Sequence, residues 1–149
     1  MRLSISPLLA LALALATPAL LLGAGAAAAE APSAGASYRL VATATPAALA
    51  QGGSGKIVLA VEPVGQAHVD PRAPVKVELE SSPGLALPRR RLARGDAAGG
   101  APGGIRFEVP FQAVARGRQE VRARLDFFVC TADLCLKQRR DAALRVEVR

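Results

Sequence analysis

Beyond Ser37 the chain alternates apolar and polar residues in short runs, the period of a strand that buries one face. Ile57, Leu59 and Val61 form one such face. Val75, Val77 and Leu79 alternate with Lys76, Glu78 and Glu80, and Ile105, Phe107, Val109 and Phe111 alternate with Arg106, Glu108 and Pro110. Val121, Ala123, Leu125, Phe127 and Val129 are interleaved with Arg122, Arg124 and Asp126, while Leu144, Val146 and Val148 sit among Arg145, Glu147 and Arg149. Residues 38–45 and 85–91 are weaker strand candidates. Gly and Pro clusters at 51–55, 63–65, 81–84 and 95–104 supply the turns, and no helical period of comparable strength follows Ala29. About seven short strands at this spacing predict an all-β fold, an immunoglobulin-like antiparallel β-sandwich whose strands send alternate residues into a shared core. A small barrel is the alternative closure.

The start of the chain reads differently. Arg2 precedes an apolar Leu/Ala stretch over 8–22, which leads into Ala27, Ala28 and Ala29, the order of a secretory signal with its small-residue cleavage site. Pro7, Pro18, Gly23 and Gly25 make the stretch a poor anchoring helix, so residues 1–29 are expected to be cleaved, leaving no membrane span. No cysteine near the cleavage site offers a thiol for lipid attachment. Residues 30–37, built of Ala, Pro, Ser and Gly, read as a flexible lead-in, and one domain is expected over 38–149. A length of 149 residues allows that single domain and one modest core. The expected location is periplasmic or otherwise exported.

A formal net charge of +7 raises the question of an acidic partner. The charges are spread along the chain, aromatics make up only 3%, and export removes nucleic acid from the usual partners, so solvated strand faces account for them. Arg89, Arg90, Arg91 and Arg94 form the one dense run, read here as an edge strand protected from aggregation by charge. The Gly-rich segment 99–104 neither precedes a helix nor ends in Lys-Ser or Lys-Thr, so it is a mobile connection and not a phosphate cradle.

Candidate chemistry rests on the two cysteines, Cys130 and Cys135. In an exported protein they are expected to pair, facing each other across a hairpin whose loop is 131–134. A bridge that closes so short a loop removes little unfolded-chain entropy, on the order of 2 kcal/mol, and does not tie the two sheets together. It also differs from the inter-sheet bridge of antibody-like domains, which packs near a Trp that this chain lacks. Lys137, Arg139 and Arg140 favour a thiolate and Asp133 opposes one. On the residues alone, a redox-active pair and a simple hairpin clamp both remain open.

Three segments resemble the amino-terminal, periplasmic domain of the thiol:disulfide interchange protein DsbD. The run from Phe128 through Cys130, Asp133 and Cys135 is similar to that family's aromatic-x-Cys, short acidic loop, Cys segment. The stretch holding Gly65, His68 and Pro71 is similar to one that the family places between two strands. The run from Gly104 to Phe111 resembles its aromatic strand ending in Val-Pro. The likeness covers most of 38–149 and implies an immunoglobulin-like sandwich whose cysteine pair passes electrons from a thioredoxin-like donor to other periplasmic redox proteins. It implies catalytic roles for Cys130, which would form the mixed disulfide, and Cys135, which would resolve it, though not which of the two leads, with Phe128 and Asp133 flanking. No cofactor is implied, since thiolate attack on sulfur is the whole chemistry. Because the chain stops at Arg149, the donor is expected to be a separate protein. This chain has one residue fewer between its cysteines than the better-known members and no match to the aromatic cap that shields their disulfide.

Two other function classes compete. In one, the domain is a non-catalytic immunoglobulin-like module clamped by its disulfide. In the other, His68, Cys130 and Cys135 bind a metal; His68 is the only histidine and the only Met is Met1, so that set is incomplete and no metal is expected. A hydrolase lacks G-x-S-x-G and a recognisable carboxylate pair.

Overall fold

Alternate residues can face a common core only if neighbouring strands pair in register, and the computed structural model, which describes residues 37–149, shows where they do. In chain order the elements are β1 (Tyr38–Thr45), β2 (Ala48–Leu49), β3 (Ser54–Pro63), β4 (His68–Val69), β5 (Lys76–Ser81), β6 (Leu85–Ala86), β7 (Arg91–Ala93), a 3-10 turn (Arg94–Asp96), β8 (Ile105–Ala113), β9 (Gly117–Cys130) and β10 (Cys135–Val148). One sheet has the order β1-β3-β8-β6 and the other β2-β10-β9-β5-β7. Strand β4 continues the line of β5 along the same edge of β9. All ladders are antiparallel except the short β2–β10 pair, which is parallel. The expected signal segment and the lead-in, apart from Ser37, lie outside the described residues. Among the described residues no helix is long and apolar enough to cross a membrane.

The core is the one the alternation marks. Ile57, Leu59, Val61, Phe107, Val109, Val121, Leu125 and Phe127 are buried between the sheets, as expected for the inner faces of an immunoglobulin-like sandwich. On β9 the intervening residues face outward and pair across to β10: Arg124 with Asp141 at 3.0 Å and Asp126 with Arg139 at 2.8 Å, each directly opposite in register. Gly55 stands opposite Phe111, and a side chain at Gly55 would meet the Phe111 ring at 2.4 Å, so the glycine makes room for a core aromatic.

Two sequence expectations change. The candidate strand over 85–91 is two strands, because Pro88 offers no N–H to a ladder: β6 ends at Ala86 in the first sheet and β7 begins at Arg91 in the second. With the other short elements this raises about seven strands to ten among the described residues. The 99–104 segment, expected to be mobile, is tied down by hydrogen bonds from Arg106 N–H to Gly99 O (2.7 Å), Gly104 N–H to Ala101 O (2.7 Å) and Val69 N–H to Gly103 O (2.7 Å). The dense arginine run does flank an edge strand, β7, which among the described residues pairs only with β5.

Strands β9 and β10, each of 14 residues, form the longest hairpin, in register from Gly117↔Val148 to Cys130↔Cys135. Tyr38 anchors β1 to it: its ring meets Phe127 edge-on at 5.1 Å, its hydroxyl donates to Gln138 Oε1 at 3.0 Å, and Arg140 lies 5.5 Å over its face. Burial pushes the Tyr38 phenol up from its ordinary range, against the Arg140 charge.

Candidate functional site

The cysteines stand at the open end of that hairpin. Cys130 closes β9 and Cys135 opens β10; they are register partners with Cα atoms 3.9 Å apart and are joined in a disulfide. The turn between them is closed by the Thr131 N–H, which donates to Leu134 O at 2.9 Å. Inner-face residues of β9 are Val121, Ala123, Leu125, Phe127 and Val129, so by the period of two Cys130 lies on the outer face with Asp126 and Phe128.

The two sulfur-bearing residues differ in access. Cys130 is 3% exposed, whereas Cys135 is exposed and sits between Leu134 at 51% and Leu136 at 55%. Few large apolar residues in the described domain are so open, and two of them flank one cysteine. The inner face of β10 explains this: Leu144, Val146 and Val148 are covered, but toward Cys135 the same face carries Gln138 and Arg140 and ends at an uncovered Leu136.

On the other side of Cys130 lies β4. His68 is the register partner of Cys130 and Val69 that of Val129. Next in sequence, the Asp70 N–H donates to Phe128 O at 3.0 Å, which turns the chain beside the disulfide. The Asp70 carboxylate then caps its own turn, Oδ1 accepting the N–H groups of Arg72 (2.8 Å) and Ala73 (3.3 Å). Those backbone donors, Arg72 first, hold its carboxyl below the ordinary carboxylate range, with smaller help from the Arg72 and Arg94 charges. Arg94 fastens the turn from outside, its guanidinium donating to Asp70 O and, at 3.0 and 2.9 Å, to Ala73 O. An Asp70 carboxylate oxygen and both sulfurs lie within 4.8 Å of one another.

The sequence-derived site residues therefore divide. Cys130, Cys135 and Phe128 are brought together, Phe128 through its carbonyl. Asp133 is exposed in the 131–134 turn. Of the basic residues expected to favour a thiolate, Arg139 is committed to Asp126 and Arg140 to the Tyr38 ring, while Lys137 forms no ion pair among the described residues. His68 is in register but outside the compact donor cluster, whose third member is Asp70. Sequence reasoning missed Asp70 and Arg94. The Asp70-Pro71 turn signal was readable, but nothing in one sequence shows that Arg94 reaches back to carbonyls at 70 and 73.

No protein-family model matches the chain, and no curated protein matches it. Similar solved structures include native alpha-2-macroglobulin from Escherichia coli spanning domain MG7 to the C-terminus, at 18% identity and a TM-score of 0.47 over 76% of this chain and 17% of that one. The native conformation of E. coli alpha-2-macroglobulin gives 18% identity and a TM-score of 0.43 over 74% of this chain and 6% of that one. A conjugative transposon lipoprotein from Bacteroides eggerthii gives 10% identity and 0.39 over 70% of this chain and 95% of that one. The chain thus spans a small fraction of the first two proteins, and likenesses this distant carry no statement about activity or partners.

Proposed function

We propose that this is an exported thiol-disulfide exchange domain, similar in role to the amino-terminal domain of DsbD, in which the Cys130–Cys135 pair relays electrons between a thioredoxin-like dithiol and other periplasmic proteins. The observation that carries the reading is the asymmetry of the bridge: an exposed Cys135 between two exposed leucines, bonded to a buried Cys130. A structural bridge gains nothing from leaving one of its sulfurs open, whereas exchange needs an accessible sulfur that a partner's thiolate can reach.

The resemblance does not decide which cysteine leads, and the asymmetry favours Cys135 as the point of attack. A donor thiolate attacks Cys135 Sγ, a sulfur–sulfur bond forms between the proteins, and the old bond breaks with its electron pair leaving on Cys130 Sγ, which takes up a proton. The donor's second thiolate then attacks its own half of the mixed disulfide and releases Cys135. Two electrons and two protons have moved, leaving a dithiol here and a disulfide in the donor; transfer onward reverses the steps. The ionised Asp70 carboxylate near both sulfurs disfavours a second negative charge, so it favours protonation of the leaving sulfur.

Reaction of single-cysteine variants with an oxidised small thiol tests the assignment. Cys130→Ser, which leaves Cys135, should form its mixed disulfide at least about tenfold faster than Cys135→Ser, which leaves the buried thiol. Equal rates, or the reverse order, would overturn Cys135 as the point of attack. Burial of Cys130 favours a second reading, a non-catalytic module in which the bridge clamps the hairpin end; there the pair would resist glutathione in the folded protein.

A further inference from the structure

We propose that, once the Cys130–Cys135 bond is reduced, the two thiolates and the Asp70 carboxylate hold a zinc ion, so that this end of the hairpin binds metal only in its reduced state. The inference requires that the bond be reducible, not that exchange be the protein's function.

Three observations carry it. First, the hairpin holds the cysteines opposite each other without help from the bridge: they are register partners, the ladder continues at Leu136↔Val129, and the Thr131 N–H to Leu134 O bond closes the turn. With Zn–S bonds of about 2.3 Å in a tetrahedron, two bound sulfurs sit about 3.8 Å apart, close to the 3.9 Å between the two Cα atoms. Second, the Asp70 carboxylate already lies in the same cluster, within 4.8 Å of both sulfurs. Third, Asp70 is fixed before any ion arrives. Its N–H is bonded to Phe128 O, its Oδ1 accepts from Arg72 and Ala73, and Arg94 clamps the turn, so little entropy is left to lose on binding. Such outer-shell support is what orients a metal's ligands.

The donor set selects the ion. Two thiolates exclude the all-oxygen preference of magnesium and calcium, the carboxylate is a poor partner for copper(I), and a mixed sulfur and oxygen set suits zinc. The fourth position falls to water, since His68, though the register partner of Cys130, lies outside the donor cluster. Reduction by a dithiol or phosphine supplies two electrons, breaks the S–S bond and leaves two thiols; zinc then displaces both thiol protons. Because the ion binds only the reduced form, each tenfold excess of zinc over its dissociation constant raises the pair's apparent reduction potential by about 30 mV.

The test uses the mature chain, reduced with a phosphine and desalted without oxygen, beside the oxidised protein. Cobalt(II) reports tetrahedral thiolate ligation by its absorption, and zinc is titrated against a chromophoric chelator. One equivalent should bind to the reduced protein and none to the oxidised; Asp70→Asn, which keeps the turn's acceptor oxygen, should weaken binding at least about tenfold. Equal binding by the oxidised protein, an unchanged Asn variant, two chains sharing one ion, or a bridge that the phosphine cannot open in the folded domain would each overturn the proposal. The potential measured without metal is a separate quantity, so the exchange reading stands or falls apart from it.

Discussion

Replacing the cysteines, Cys130→Ala with Cys135→Ser, should cost about 2 kcal/mol and leave the domain folded. The bridge spans a sequence separation of only 5, and for so small a loop the entropy that a cross-link removes from the unfolded chain amounts to about 2 kcal/mol. Ala at 130 fills most of the buried thiol's place without introducing an unpaired hydroxyl, and Ser at 135 faces solvent, so neither adds a large second cost. What remains is a hairpin paired along both 14-residue strands and packed through Phe127, Leu125 and Val121 into the core. For a domain of this size roughly 3–6 °C of Tm accompany each kcal/mol, so thermal unfolding followed by circular dichroism should show a loss of roughly 6–12 °C. Amide exchange should quicken at the hairpin end and stay unchanged near Val146. A variant that is unfolded at room temperature, or one that loses more than about 20 °C, would mean that the bridge holds the fold, and the reasoning from loop length would be wrong.

Arg94→Ala should lose its charge-assisted bonds to the carbonyls of Asp70 and Ala73, cost about 1.5–3 kcal/mol and speed amide exchange at Arg72 and Ala73; Arg94→Lys should not restore protection, because an ammonium lacks the planar fork that serves both carbonyls. Gly55→Ala should cost about 1–3 kcal/mol by denaturant unfolding, since the new methyl meets the buried Phe111 ring; an unchanged midpoint would show that the ring has room to move. Asp126 has its carboxyl held below the ordinary range chiefly by the Arg139 guanidinium, so its contribution is fully present above the unfolded value, about 3.9, and is lost as pH falls through the lower folded value. Asp126→Asn should therefore flatten the fall of Tm between about pH 4 and pH 2, and an unchanged slope would contradict the pairing.

The long strands were legible because their chemistry is local. On β9, apolar residues recur every second position from Val121 to Val129, and no partner needs to be known to read a buried face from that. The first half of β10 shows no such period, and only the cysteine spacing points to a strand there. Leu136, Gln138, Arg140 and Ala142 occupy the face that becomes core only from Leu144 onward, so the period is present in the backbone but absent from the composition. The short strands failed similarly: His68–Val69 owes its pairing to Cys130 and Val129, far along the chain, and Pro88 divides what looked like one run between two sheets. At the site, the Cys130–Cys135 pairing across a hairpin could be read from spacing. Its asymmetry could not, because which cysteine is covered depends on β4 and the Asp70 turn folding against the far edge of β9.

The exchange reading turns on how readily the Cys130–Cys135 bond opens, and the decisive measurement is its equilibrium reduction potential in the purified protein, read by alkylation across glutathione buffers without added metal. An exposed Cys135 on a bridge that the fold does not need predicts a value above about −250 mV; a value below about −300 mV would place the pair among structural disulfides and contradict the proposed function.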